Sequence, residues 1–63
     1  MKTEIQFARC FGTPAGQFVL NHLRSMTTQR VLGQNATDAE LRYLEGQRSL
    51  VRAIENMIKR GSE

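Results

Sequence analysis

From Asp38 to about Arg60 the chain keeps an apolar period near that of an α-helix without a break, so over a third of its 63 residues are committed to one helix. Its start is marked by Thr37-Asp38-Ala39-Glu40, which fits a capping box in which the threonine hydroxyl and the glutamate carboxylate satisfy two free amides at the helix end. Gly61 is a suitable stop. Tyr43, Leu44, Leu50, Val51, Ile54, Met57 and Ile58 fall on one arc, which spans nearly half the circumference once Gly46 and Ala53 are included. Glu45, Arg48, Arg52, Glu55 and Lys59 form a mixed-sign ladder on the opposite side. One partner helix would hardly cover so broad an arc, so the rest of the chain must fold back along it.

The upstream residues supply two such partners. Ile5, Phe7, Cys10 and Phe11 place an apolar stripe on a first helix of roughly two turns, with Cys10 read as a small buried hydrophobe. Gly12 stops it, being able to take the left-handed conformation that closes a helix, and Thr13-Pro14 opens the next helix as N-cap and first-turn proline. On this second helix, about Pro14 to Met26, an arc of Gly16, Val19, Leu20, Leu23 and Met26 faces the core, opposite Gln17, Asn21, Arg24 and Ser25. Between Thr27 and Ala36 the periodicity dissolves into a loop, pinned by Val31 and Leu32 tucked against the helices. The expectation is an all-α protein, a single helical domain over residues 1–63, packed as a small helical hairpin or three-helix unit.

A chain this short buries only about 60% of the surface its unfolded form exposes, and it needs help from a disulfide, a metal or a partner. One cysteine, Cys10, forms no intramolecular disulfide, and with one histidine, His22, there is no Cys/His metal cluster. A partner chain is therefore the expected source of stability, with no cofactor and no metal. No stretch approaches a membrane span, and charge interrupts the early apolar residues, so neither a membrane partner nor a signal peptide is expected. The natural compartment is then intracellular and reducing.

Catalysis has no visible apparatus. His22 lacks a sequence-adjacent nucleophile or orienting carboxylate, the acids are spread along a helix surface, and the glycines form no phosphate-cradling loop, so no enzyme activity is expected. The net charge of +3, from seven arginines and two lysines against six acids, permits a nucleic-acid contact without favouring it. A helix-turn-helix reading of the Phe11–Thr13 corner would offer only Gln17, Asn21 and Arg24 to base edges. Gly46 is more informative: a glycine inside a long helix costs about 1 kcal/mol relative to alanine, so it marks close approach of another backbone, with Gly16 as the obvious mate. The partner-contact candidates are Phe18, displaced from its helix's main arc, the Leu44, Val51 and Ile58 edge of the last helix, and Arg48 and Arg52 from the charged ladder.

Phe7-Ala8-Arg9-Cys10-Phe11-Gly12-Thr13-Pro14-Ala15-Gly16-Gln17-Phe18-Val19-Leu20, followed by Leu41-Arg42-Tyr43-Leu44-Glu45-Gly46-Gln47-Arg48-Ser49-Leu50-Val51, resembles a family of small tailed-phage proteins. That family pairs an aromatic, arginine and Phe-x-Thr-Pro-x-Gly opening with a Glu-Gly-x-Arg segment before a terminal helix. Cys10 departs from it, standing where an aliphatic residue is expected. Its members are typically encoded in the head and portal region. The resemblance implies a virion or assembly component that associates with itself or with head and portal proteins, in the host cytoplasm during assembly and then in the virion. A small DNA-binding or regulatory helical protein is the alternative, separable by the steep salt dependence of phosphate binding.

Overall fold

The computed structural model describes residues 2–63, as three helices in the order α1 (Lys2–Phe11), α2 (Pro14–Met26) and α3 (Asp38–Ser62), with no strand among the described residues. α1 carries Glu4 in its first turn and Arg9 in its last, each at the end where the helix dipole favours its charge. Phe7 and Phe11, one turn apart, stack with ring centroids 6.2 Å apart. The corner to α2 is built by Thr13, whose Oγ1 accepts from the Gly16 amide at 3.0 Å and donates to the Cys10 carbonyl at 3.0 Å, with Pro14 in the first turn. No glycine among the described residues has a positive φ, so Gly12 does not close α1 by left-handed geometry. It is small for lack of space: a Cβ there would lie 2.8 Å from the Ala8 carbonyl oxygen.

α2 ends where Thr27, a buried residue, turns its hydroxyl back onto the Leu23 carbonyl at 2.6 Å, and its amide bonds Arg24 O at 3.2 Å. Such side-chain competition for carbonyls loosens a helix end. The segment that follows is less embedded than its apolar residues suggest. Leu32 is half-buried, but Val31 is 89% exposed, so only one of the two expected pins holds. α3 starts at Thr37, whose Oγ1 accepts from the Glu40 amide at 3.1 Å. The other half of the capping box is altered: the Glu40 carboxylate accepts from the Thr37 hydroxyl at 3.2 Å.

α2 runs antiparallel to α3, as shown by Arg24 paired with Glu55 at 3.3 Å and the end of α2 reached by Arg48. α1 packs against the C-terminal end of α3, the most extensive helix pairing in the molecule. Here Gly61 is no stop. The helix continues through it, and a Cβ at Gly61 would overlap the Glu4 carbonyl oxygen and lie 3.0 Å from the Ala8 Cβ, so this glycine lets α1 and α3 cross closely. Gly16 plays the same part between α1 and α2, where a Cβ would overlap the Cys10 carbonyl oxygen and sit 2.6 Å from the Phe11 Cα.

Among the described residues the buried apolar core consists of Leu20, Leu44 and Val51. The molecule extends 41 × 22 × 13 Å with a radius of gyration of 13.7 Å, against about 11 Å for a compact chain of this length. Its surface is 4946 Å², whereas a compact 7.2 kDa monomer should expose about 4,100 Å². Roughly 800 Å² of surface is therefore in excess of what a self-contained fold would leave.

Candidate interaction surface

One side of α3 is used up inside the chain. Leu44 and Val51 are buried, and Ile58 is half-buried. Arg48 closes the long loop: its Nε donates to Thr27 O at 3.0 Å, Nη2 donates to Arg30 O, and Nη1 meets the Glu45 carboxylate at 2.6 Å. Carbonyls at a helix C-terminus lack intrahelical donors and carry partial negative charge, which a guanidinium matches in both respects. The Glu45-Gly46-Gln47-Arg48 segment thus works as a clamp, with Glu45 steering Arg48 onto the end of α2. Of the residues expected to meet a partner, Leu44, Val51 and Arg48 are spent internally, and Ile58 largely so. The physical reason is that α2 and the loop after it lie along this edge of α3, with Arg24 meeting Glu55 and the loop reaching Arg48 and the surroundings of Leu44.

The opposite edge of the apolar arc is bare. Tyr43 is 70% and Leu50 63% exposed, although both belong to the arc that the periodicity assigns to the core. Between them Gly46 is exposed, with nothing within 4 Å of a Cβ built on it, so Gly16 and Gly46 are not mates within the chain. Further along the same face Met57 is half-buried and Gly61 packs on α1. Length explains the difference: ten residues of α1 span about 15 Å, whereas α3 is about 37 Å long. α1 covers the C-terminal part of the face and leaves the N-terminal part open. Beside Tyr43, a groove of about 340 Å³ is lined by Arg30, Leu32, Ala39, Glu40, Tyr43 and Leu44.

α2 also turns apolar groups outward. Phe18 is 75% exposed, and Val19 and Met26, assigned to the core by their spacing, are about half exposed. Two helices on α3 need only one side of α2, and Gly16 and Leu20 supply it. Arg52 is exposed, as is His22. Cys10 is exposed as well, contrary to its reading as a buried hydrophobe, because α1 turns Ala8 rather than Cys10 toward Gly61. No group of three or more His, Cys, Asp or Glu among the described residues could hold a metal ion, and no described helix is long and apolar enough to cross a membrane.

These features define a small all-α protein of three helices, with a minimal core and apolar side chains displayed on two of its helices. The chain belongs to the family of Bbp19-like phage proteins, whose model matches residues 7–61. That span takes in the Thr13-Pro14 corner, the Glu45 to Arg48 clamp and the bare face of α3. No curated protein matches the chain, and no solved structure does.

Proposed function

We propose that this phage protein is a non-enzymatic structural or assembly accessory component that docks through its helical faces on a larger virion assembly, in the head or portal region. The observation that carries the reading is the exposure of large apolar side chains such as Phe18, Tyr43 and Leu50, in a molecule whose surface exceeds that of a compact fold by roughly 800 Å². An exposed apolar set of this kind marks interaction sites, and in a phage family the large available partners are the particle's own proteins. Two of the arginines that could serve DNA are committed within the chain, Arg24 by its pair with Glu55 and Arg48 by Glu45 and two backbone carbonyls, which favours apolar docking over phosphate binding. On this reading the protein is made in the host cytoplasm and carried into the virion.

Mass spectrometry of purified particles and of head precursors tests the proposal. The protein should copurify at a fixed ratio to the major structural proteins and stay bound as salt is raised, as apolar docking requires. Recovery only from the soluble fraction of infected cells, or binding to DNA with a steep salt slope, would overturn it.

A further inference from the structure

Along α3, Ala39, Tyr43, Gly46, Leu50, Ala53 and Met57 follow one another in alternate steps of four and three residues, all of them exposed except Met57, which is half-buried. That is the seam of a coiled coil, with an average period of about 3.5 residues. The two halves of the repeat differ in size: Tyr43, Leu50 and Met57 are large, and Ala39, Gly46 and Ala53 are small. We propose that this face pairs with the same face of a second copy of the chain, the two α3 helices crossing antiparallel about a two-fold axis at position 48.

The register follows from size. With the axis at position 48, Tyr43 opposes Ala53, Leu50 opposes Gly46 and Met57 opposes Ala39 of the second copy, and the two-fold repeats each match in reverse. Every large side chain then meets a small one, the arrangement that fills an interface without voids or overlap. A parallel pair would set Tyr43 on Tyr43 and leave the Gly46 layer empty. Charge does not oppose the antiparallel pairing, although each chain carries +3. The residues flanking the seam are Glu40, Gln47 and Ile54 on one side and Arg42, Ser49 and Asn56 on the other. This register sets Arg42 beside Asn56 and Glu40 beside Ile54 of the second copy, with no like charges opposed, while Glu45 and Arg48 are bonded to each other on the other side of the helix. The opposed helix dipoles favour it too.

Area and shape agree. The surface excess of the whole molecule, roughly 800 Å², is of the order of one partner's share of a standard interface, about 800 Å². The antiparallel arrangement also sets the C-terminal half of one α3, which carries α1, beside the bare N-terminal half of the other. Two short α1 helices then flank a pair of α3 helices that one alone cannot cover. The pairing buries Tyr43 and Leu50 and leaves Phe18 and Val19 of α2 for docking on a particle, so the state of the free protein tests the pairing and the composition of particles tests the docking.

Sedimentation equilibrium of the purified protein, with variants at the seam, is the test. The native chain should be a dimer at about 100 µM. Gly46→Leu, whose Cβ enters open space in its own chain, should keep its helical circular dichroism and weaken dimerisation by about a hundredfold or more through overpacking at both symmetry-related sites. Gly46→Leu combined with Leu50→Ala restores a large group opposite a small one and should recover the dimer. A native chain that stays monomeric at that concentration refutes the pairing. So does a native dimer indifferent to Gly46→Leu, and so does a double variant no better than the single one.

Discussion

Glycines of one sequence type carry opposite meanings at Gly46 and Gly61. Both sit inside α3, and both therefore weaken it by about 1 kcal/mol relative to alanine. At Gly46 that loss has no return within the chain, so Gly46→Ala should raise the stability of the dilute protein by up to about 1 kcal/mol. At Gly61 the added methyl would overlap the Glu4 backbone, which cannot yield as a flexible side chain would. Gly61→Ala should therefore lower stability by about 1–3 kcal/mol despite the better helix propensity. Chemical denaturation of the two variants checks the signs. Arg48 offers a second residue-scale contrast. Arg48→Ala removes the side-chain donor to the carbonyls of Thr27, which keeps the Arg30 amide at 3.1 Å, and of Arg30, and should cost about 1–2 kcal/mol. Glu45→Gln removes only an exposed partner and should cost under about 1 kcal/mol. Equal losses from the two would mean that Arg48 acts through its ion pair and not through the clamp.

At the scale of elements, the helix starts were legible because each uses local chemistry. Thr13-Pro14 and Thr37 through Glu40 place their own caps, and the bounds of α2 fall where its periodicity and its proline put them. The two caps differ in what depends on them. Thr37 serves one helix end, while Thr13 holds the last turn of α1 and the first of α2 together through a single hydroxyl. Thr13→Ala should accordingly lower the melting temperature more than Thr37→Ala, whose cost should be about 1 kcal/mol. Which edge of α3 would be covered was not legible. Leu44 and Tyr43 are neighbours on one apolar arc, and periodicity treats them alike, yet one is buried and the other stands in solvent. That choice is made by the Arg24–Glu55 pair and the Arg48 clamp, contacts between residues far apart in sequence.

For the whole molecule, three buried apolar side chains make a core that leaves little margin. Removing one of them, as in Leu44→Ala, costs about 2–5 kcal/mol in well-packed proteins. If the chain gains stability from its copies, its melting temperature must depend on concentration. Tenfold dilution should lower it measurably in the native protein and leave Gly46→Leu unchanged. A melting temperature independent of concentration would assign all of the stability to the single chain.

The sequence by itself determined the helices and the small protein's family, because caps, turn residues and periodicity act over a few residues, and the family's motifs lie in those same corners. It also determined that α1 is too short to match α3, since helix length follows directly from residue count. The tertiary structure decided which apolar residues became core and which became surface. Burial depends on where one helix lies on another, and here Gly16 and Gly61 at the helix crossings and the long-range hydrogen bonds of Arg24 and Arg48 fix that placement, which no local pattern encodes.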